Sequence, residues 1–284
     1  VTEGILTRML QSDPSLEGVG LVIFDEFHER SLQADVGFVL CLQAQTFLRE
    51  DLRMLVMSAT LEALQIADRL GNAPVIESKG QAYPVTTMYL NRPSAETLEQ
   101  QTAAKVLEAL QHQEGDILVF LPGEREIRRV EEMLSLRVSA DITLAPLYGR
   151  LPQSEQDAAL LPDPLGRRKV ILATSIAETS LTVEGVCVVV DSGWMRRPVF
   201  SPGTGLTRLE TVRVSLASAK QRAGRAGRLG PGVCYRLWTE QENRGLEGAA
   251  TPEILSADLA SLVLEWSDEK WLITRERRLT LLPM

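Results

Sequence analysis

The chain has 284 residues, of which 44% are hydrophobic and 24% are charged, and its formal net charge is −8. These figures are typical of a folded globular protein and argue against an intrinsically disordered one. The apolar runs fall short of the roughly 20 residues that a membrane-spanning helix needs, and Glu3 and Arg8 argue against a signal peptide in the first ten residues. We therefore interpret the protein as cytoplasmic, with about two domains and no membrane partner.

The cysteines and the charge balance narrow the function classes further. Cys41, Cys187 and Cys234 are far apart and form no CxxC pair, so they predict small buried side chains rather than a disulfide framework or a zinc site. A net negative charge argues against a protein that holds nucleic acid by bulk charge, although it allows a local basic strip.

Short apolar runs alternate with helix-period segments for most of the length, which is typical of βαβ units around parallel sheets. In chain order, strands are predicted at residues 21–24, 54–57, 85–89, 117–120, 142–145, 170–173 and 186–190, and helices at residues 32–47, 61–70, 95–111 and from Glu124 onward. The sequence therefore predicts an α/β fold.

The rhythm of these elements changes at two places. It breaks near Tyr83-Pro84, and the tail differs again because apolar residues at helical spacing over 254–266 are followed by residues with no clear period. We therefore predict three parts, which are residues 1–80, residues 81–247 and a helical unit at residues 248–284.

Two adjacent acids follow the first predicted strand. Parallel sheets bind ligands at the carboxyl ends of their strands, which is where Asp25 and Glu26 would lie. One acid there can hold Mg²⁺, directly or through water, while its neighbour polarises the attacking water in nucleotide hydrolysis. The alternative is a solvated strand end or a helix N-cap. Ser58-Ala59-Thr60 follows the next strand in the same way, and its alternative role is to cap the following helix.

Residues 221–228 have the sequence QRAGRAGR, with an arginine at every third position. The arginines would lie along one side of a helical turn, and the small residues between them would allow another surface to approach closely. A solvated basic helix face is the alternative, but it would not need glycine, which costs about 1 kcal/mol in a helix interior. Arginine forks bind polyphosphates and stabilise charge as a γ-phosphoryl group leaves, so the segment predicts a phosphate site.

With these residues in view, the chain resembles the DEAH-box group of superfamily 2 helicases, and within it the bacterial HrpB type. Asp25-Glu26-Phe27-His28 resembles the DEAH box with Phe in the third place. The other motifs follow in the family's order: residues 2–4 resemble motif Ib, 58–60 motif III, 118–123 motif IV, 173–182 motif V and 221–228 motif VI. The resemblance implies tandem RecA-like domains with parallel sheets, the first one truncated, followed by the start of a winged-helix unit.

The resemblance also implies ATP and Mg²⁺ as cofactors and assigns roles in the first domain. Asp25 would bind the Mg²⁺ and its water, Glu26 would activate the lytic water, and both are expected at the metal. His28, Ser58 and Thr60 would couple the nucleotide site to domain movement.

In the second domain the resemblance assigns the triphosphate contacts. Gln221 would help to position the attacking water, and Arg225 and Arg228 would contact the phosphates from the second domain. The remaining residues expected at the nucleotide are Ser180, Thr182 and Glu184, the last of which stands where relatives commonly have an Asp that contacts ribose.

RNA, as a single strand or a duplex with an overhang, is the partner that the resemblance implies. Thr2, Gly149 and Thr174 match positions that contact the sugar-phosphate backbone in relatives, and such contacts carry no sequence information. The segment 194–214 resembles a β-hairpin that wedges duplexes, where Arg196 and Arg197 would bind nucleic acid. DNA remains an alternative strand because recognition of the 2′-OH is not readable here.

The surroundings of this hairpin are locally basic. Between residues 191 and 236 the acids are Asp191 and Glu210, whereas the basic residues are Arg196, Arg197, Arg208, Arg213, Lys220, Arg222, Arg225, Arg228 and Arg236. This excess predicts the basic strip that the net charge conceals. Trp194 is interpreted as a packing residue, with base stacking as its alternative.

The chain has no match to the phosphate-binding loop G-x-x-x-x-G-K-[ST]. In the family this loop lies upstream of motif Ib, so we expect a fragment that starts inside the first RecA-like domain. Two functions of different class remain. One is an ATP-dependent 3′ to 5′ RNA helicase whose activity belongs to the complete polypeptide, and the other is a module that binds single strands without turning over ATP. We expect these 284 residues alone to be inactive.

Overall fold

The computed structural model describes residues 1–58, 63–78, 83–178 and 183–267, which form two compact units. The first unit comprises Val1–Val75, Pro198–Arg208 and the described part of Thr251–Met284. The second unit comprises Ile76–Arg197 and Leu209–Ala250. Within these described ranges, no helix is both long enough and apolar enough to cross a membrane.

The first unit is built on a parallel pair of strands. Its helices are α1 (Glu3–Ser12), α2 (Leu32–Phe47), α3 (Ala63–Arg69) and α9 (Ala260–Ser267), and its strands are β1 (Leu21–Phe24) and β2 (Arg53–Val56). The strands pair from Leu21↔Arg53 to Phe24↔Val56. Alternate residues of β1 point to opposite faces, so Val22 and Phe24 are buried whereas Leu21 and Ile23 are exposed.

An aromatic cluster forms the centre of the first unit's core. The Phe24 ring lies edge-on to Phe27 and Phe38, with centroid distances of 5.9 and 5.7 Å. Such edge-to-face pairs are favoured by the ring quadrupoles and fix the relative placement of the segments that carry them. The cluster therefore holds the end of β1, the turn that follows it and α2 together. Leu262 of α9 joins the same core.

The second unit contains a six-stranded parallel sheet. Its strands are β3 (Val85–Leu90), β4 (Asp116–Phe120), β5 (Ile142–Leu147), β6 (Arg168–Ala173), β7 (Val186–Asp191) and β10 (Gly232–Thr239), in the order β3-β10-β7-β4-β6-β5. Its helices are α4 (Leu98–His112), α5 (Glu124–Ser135), α6 (Gln153–Leu160), α7 (Leu216–Gly224) and α8 (Glu240–Arg244). The antiparallel hairpin β8 (Trp194–Ser201) and β9 (Leu206–Arg213) follows β7.

The strands of this parallel sheet are apolar on both faces. Leu118, Val119 and Phe120 of β4 are all fully buried, and Leu118 and Val119 belong to different core clusters. Continuous apolar runs of this kind need cover on both sides, which the connecting helices supply. Helix α4 begins with a capping box, in which the side chains of Thr97 and Gln100 each accept a hydrogen bond from the main-chain N–H of the other residue.

The structure confirms the predicted α/β class and most predicted elements. The strand at 21–24 and the helix at 32–47 have the predicted bounds, whereas β2 begins one residue earlier than predicted. The hairpin at 194–214 is also confirmed. Strand β10 was not predicted, although it lies between β3 and β7 inside the sheet. Cys41 and Cys234 are buried as predicted, and burial raises the pKa of each thiol to about 12, whereas Cys187, which was also predicted to be buried, is half-buried.

Candidate functional site

The two predicted acids lie in a turn that is tied to both strands of the first unit. The Met57 N–H donates to the Phe24 oxygen at 2.8 Å, and the Phe27 N–H donates to the Met57 oxygen at 3.0 Å. Asp25 and Glu26 therefore leave β1 beside the end of β2, where Ser58 follows, half-buried. The structure thus brings Asp25, Glu26 and Ser58 to one edge of the parallel pair, as the sequence predicted.

The turn has an unusual backbone. Glu26 has φ 48° and Arg30 has φ 54°, so both occupy the left-handed region that disfavours side chains other than glycine. Such residues cost about 1–3 kcal/mol each and persist only where the surroundings hold them. The Glu26 N–H donates to the Asp25 carboxylate at 2.9 Å. Buried Arg30 binds Asp35 of α2 through two 3.0 Å hydrogen bonds, which anchors the end of the turn.

His28 lies close to Glu26 within this turn. Its Nδ1 is 3.5 Å from Glu26 Oε2, and its side chain is 5% exposed compared with 37% for Glu26. The histidine is therefore packed inside while the carboxylate beside it reaches solvent. This arrangement suits a residue that holds the acid in place, because a packed ring has few alternative rotamers.

The donor set of the turn fits Mg²⁺ bound together with a nucleotide. No group of three or more metal-binding side chains occurs in the ranges that the structure describes, so a fully protein-bound ion is not indicated there. Mg²⁺ in nucleotide sites is instead held by one or two carboxylates, with phosphates and water as the other ligands. Asp25, which is exposed, and Glu26 supply two such carboxylates.

A groove of about 660 Å³ runs beside β1 in the first unit, and its lining includes both Thr2 and Asp25. Thr2 is exposed and precedes α1, whose Ile5 and Leu6 N–H groups donate to the Thr2 oxygen. The structure therefore brings the predicted strand-contacting residue and the predicted metal-binding acid to one groove.

The three arginines of residues 221–228 do not share one environment, although the sequence predicts them along one side of a helical turn. Helix α7 ends at Gly224, and a 3-10 turn follows at Arg225–Gly227. Arg222 is fully buried and Arg225 is buried, whereas Arg228 is exposed. Residues three apart eclipse in a 3-10 turn, so the difference in burial comes from the neighbours that each arginine meets and not from a rotation of the turn.

Arg222 is the centre of a buried ionic cluster. Its Nε donates to Glu178 Oε1 at 2.7 Å, and its Nη1 donates to Asp191 Oδ1 at 2.8 Å. Its guanidinium carbon lies 4.9 Å from the centroid of Phe120. Burial by itself lowers the pKa of Arg222, but the two carboxylates outweigh burial and raise it above its ordinary value. Arg222 therefore stays a cation inside the second unit.

Arg225 and Gln221 flank this cluster. The Arg225 Nε donates to the Glu178 main-chain oxygen at 2.8 Å, and its Nη2 donates to the same oxygen. Gln221 is half-buried on α7, one residue before Arg222. The structure thus places Gln221, Arg225 and Arg228 on one continuous segment, with Arg225 held against the residue that follows the turn Ser175–Ala177.

The predicted strand-contacting residues of the second unit lie at the ends of adjacent strands. Gly149 is exposed after β5, and Thr174 is half-buried after β6, where its N–H donates to the Leu147 oxygen at 3.1 Å. Arg196 reaches the neighbouring strand end, because its guanidinium occupies the space where a Cβ on Gly123 would stand. It also forms a 3.1 Å ion pair with Glu126.

The base of the hairpin contains stacked cations and rings. The Arg213 guanidinium carbon lies 4.9 Å from the centroid of Trp194 and 5.4 Å from that of Trp238, and Arg236 lies 5.3 Å from the same Trp238 ring. This stack supports the interpretation of Trp194 as a packing residue. Arg213 and Arg236, the two arginines of this stack, were both predicted to belong to the basic strip.

The remaining predicted site residues are exposed, half-buried or outside the residues that the structure describes. Thr60, Ser180 and Thr182 are among the residues that the structure does not describe. Glu184 is exposed in the turn before β7, and Arg197 is half-buried. Of the nine predicted strip residues, Arg222, Arg225 and Arg236 are buried.

Sequence reasoning missed three acids that organise these sites. Glu178 and Asp191 bind Arg222, as described above. Glu253 holds the end of the turn that follows β1. Its main-chain N–H donates to the Arg30 oxygen at 3.1 Å, and its carboxylate accepts a hydrogen bond from the Leu32 N–H at 2.8 Å. An acid within motif V was a signal for Glu178, but no local pattern indicates a partner for Glu253, which lies 221 residues away from Leu32.

The known proteins that are similar to this chain are helicases. Residues 98–230 match the family model described as the helicase conserved C-terminal domain. The chain is 51% identical over 265 residues to the ATP-dependent RNA helicase HrpB of Escherichia coli (strain K12), and 39% identical over 271 residues to the pre-mRNA-splicing factor ATP-dependent RNA helicase prp22 of Schizosaccharomyces pombe. Each match covers 93% of this chain, which spans 33% of HrpB and 23% of prp22.

Solved structures give the same relationship. Two crystal structures of Escherichia coli HrpB, described as a DExH-box NTPase and as a DEAH/RHA helicase, match with TM-scores of 0.85 and 0.87 at 51% and 50% identity. Each comparison covers 94% of this chain, and 33% and 34% of the HrpB chains. The chain is therefore similar along nearly its whole length to about a third of a DEAH/RHA helicase, and its residues 98–230 match the helicase conserved C-terminal domain.

Proposed function

We propose that this chain is part of an ATP-dependent RNA helicase of the HrpB type, which couples ATP hydrolysis to 3′ to 5′ translocation on RNA and to its unwinding. The observation that carries the proposal is the pair of carboxylates at the carboxyl end of β1, Asp25 and Glu26, held in a left-handed turn by buried contacts. Conformational strain that is held in this way is common at functional sites. The chain spans about a third of HrpB, so the activity is proposed for the complete polypeptide.

In this proposal the acids divide the chemistry between them. Mg²⁺, when bound with ATP, neutralises phosphate charge. Asp25 holds the ion or its water, and Glu26, on the same turn, completes the acidic site and accepts a proton from the attacking water. His28 keeps Glu26 in place. His28, Ser58 and Thr60 couple the nucleotide site to domain movement, and Ser58 directly follows Met57, whose hydrogen bonds tie β2 to the turn.

The segment after α7 supplies positive charge for the phosphates. Arg228 is exposed, whereas Arg225 is buried and held by the Glu178 oxygen. Gln221 orients water, while the nucleotide is also contacted by residues of the motif V region, namely Ser180, Thr182 and Glu184. Arginine is suited to this role because its planar fork matches two phosphate oxygens at once.

RNA binding is assigned to the strand ends of the second unit, with Thr2 in the first. Gly149 and Thr174 offer a main-chain group and a hydroxyl at adjacent strand ends, which suits contact with a sugar-phosphate backbone of any sequence. Arg196 and Arg197 add charge at the hairpin. A strand-binding module without ATP turnover is the second candidate for these 284 residues, because the second unit has a six-stranded sheet whereas the sequence contains no G-x-x-x-x-G-K-[ST] loop.

The first experiment measures this chain itself. We expect it to bind a fluorescent single-stranded RNA and to hydrolyse no ATP with or without that RNA. RNA-stimulated turnover that is lost in Glu26→Gln but kept in Glu29→Gln would show that these residues form a complete ATPase. Glu29 is a matched control because it lies exposed in the same turn. Failure to bind RNA would contradict the second candidate, the strand-binding module.

The second experiment tests the activity in a complete polypeptide. The matched third of Escherichia coli HrpB is replaced by this chain, and RNA-stimulated ATP hydrolysis of the chimera is compared with that of HrpB. We expect activity to be retained and Glu26→Gln to lower it by about 100-fold or more, the usual contribution of a general base. A chimera that folds and binds RNA but is inactive, or is unaffected by Glu26→Gln, would contradict the helicase proposal.

A further inference from the structure

Arg222 is buried in a way that excludes direct contact with RNA or nucleotide. It has no exposed surface, and it lies in the last turn of α7, directly after Gln221. A fully buried arginine is uncommon and persists only where carboxylates and hydrogen bonds compensate for its lost hydration. Its position between two proposed site residues therefore needs an explanation other than ligand binding.

Glu178 links Arg222 to Arg225. Its carboxylate accepts from the Arg222 Nε at 2.7 Å and from the Ser218 hydroxyl at 2.8 Å, both of which belong to α7. Its main-chain oxygen accepts from the Arg225 Nε at 2.8 Å. One residue thus holds both arginines, the first through its side chain and the second through its backbone.

Arg222 also fixes the segment on the other side of the cluster. Its Nη1 donates to Asp191 at the end of β7 and to the Trp194 oxygen, at 3.3 Å, where the hairpin begins. The rigid guanidinium fork spans both carboxylates at once, which a lysine ammonium cannot do. Removal of the fork would leave Glu178 and Asp191 as buried carboxylates without their shared cation.

We propose that Arg222 is a positioning residue that sets the orientation of the Arg225 guanidinium through Glu178. With Arg222 in place, the Glu178 side chain is fixed against α7, and the main-chain oxygen of Glu178 accepts from the Arg225 Nε. Without Arg222, the Glu178 carboxylate turns toward solvent, the main chain at Glu178 moves with it, and Arg225 loses its fixed orientation. The significance for ATP hydrolysis rests on the proposed function, but the positioning itself does not.

The test follows the Nε–H of Arg225 directly in the 284-residue chain, without nucleotide or RNA. Arginine side-chain signals are recorded in ¹H–¹⁵N NMR spectra, and the Arg225 signal is identified by its disappearance in Arg225→Lys. The variants are Arg222→Met, which keeps an apolar side chain of similar length, and the milder Glu178→Gln. The matched control is Lys169→Met, which removes another buried cation of the second unit whose partners are main-chain oxygens of residues 158, 159 and 161.

We expect the Arg225 Nε–H signal to shift and to exchange with solvent about tenfold faster in Arg222→Met and Glu178→Gln, since a hydrogen bond of a charged group is lost. In Lys169→Met it should stay at its original position and rate. An unchanged Arg225 signal in the folded variants overturns the inference, and so does an equal change in Lys169→Met. If Arg222→Met does not fold, Glu178→Gln decides. The helicase proposal is tested separately by RNA binding and ATP turnover, so either idea can fail alone.

Discussion

Lys169 shows at the scale of one residue how a charge is accommodated inside the second unit. Its ammonium group donates to the oxygens of Ala158, Ala159 and Leu161 at 3.3, 2.5 and 2.5 Å, and so caps the end of α6. Lys169→Met should lower the free energy of unfolding by about 2–3 kcal/mol because buried carbonyl groups lose their donor. Urea denaturation measures this loss. Lys105→Met, at a partly exposed ion pair with Glu108, should cost less than about 1 kcal/mol.

Asp163 predicts how stability depends on pH. Hydrogen bonds from Arg167 and Thr143 hold the pKa of this carboxyl well below its usual range. Since the folded pKa is depressed, the stabilisation is fully present above the unfolded value of about 3.9 and is lost as pH falls toward the folded pKa. Asp163→Asn should therefore lower the melting temperature at pH 7 and differ less from the wild type near pH 3.

Thermal unfolding at the two pH values measures this difference. Asp157→Asn is the control, because Asp157 is exposed on α6 and accepts from Gln153 at 2.8 Å. It should change stability little at either pH. A gap between wild type and Asp163→Asn that is as wide at pH 3 as at pH 7 would contradict the explanation.

Alanine substitutions at Gly193 and Gly166 distinguish the cost of a steric clash from the cost of backbone strain. Both have a left-handed φ, at 77° and 67°. A Cβ on Gly193 would stand 2.7 Å from the Trp238 ring and 3.0 Å from Arg213, whereas nothing lies within 4 Å of one on Gly166. Gly193→Ala should therefore destabilise by about 1–3 kcal/mol more than Gly166→Ala, as overpacking does. Denaturation curves of both variants check this, and equal losses would exclude the clash.

At the scale of elements, the first unit depends on a contact between distant segments. Glu253 binds the Arg30 oxygen and the Leu32 N–H at the start of α2. Glu253→Ala should expose this helix end and speed hydrogen exchange at Leu32 about fivefold to tenfold, in line with the loss of a helix cap. Exchange measured by mass spectrometry or NMR would show it. Glu240→Ala, at the exposed start of α8, should leave Leu32 unchanged.

The same elements show what the sequence could predict. Strand β1 and helix α2 were predicted with their bounds because a short apolar run and apolar residues at helical spacing are local signals. Strand β10 was missed because Arg236 interrupts its apolar residues and because it follows an arginine-rich turn. The left-handed φ of Glu26 and the burial of Arg222 depend on contacts with Asp191, Met57 and α2, which no window of sequence contains. Residue types at the site were therefore predictable, but their environments were not.

At the scale of the whole molecule, charge is distributed unevenly. The chain carries −8, so the proposed binding of RNA has to come from local groups rather than from the total charge. Arg197→Ala should weaken RNA binding and lower the slope of log Kd against log salt by about 0.7, the value for one phosphate contact in a single strand. Fluorescence anisotropy at several salt concentrations measures the slope. Arg8→Ala, at an exposed arginine of α1, should leave it unchanged, and equal slopes for all three proteins would contradict a contact by Arg197.

The shared cluster around Arg222 also constrains how the gene can change over generations. A single substitution at position 178, 191 or 222 strands a buried charge, whereas a joint change of all three to apolar residues of similar volume is tolerated in other proteins. These codons are separated by up to 44 positions, so one mutation rarely alters two of them. Aligned relatives should therefore keep the trio intact or replace it as a set, and lineages with only one member altered should be scarce.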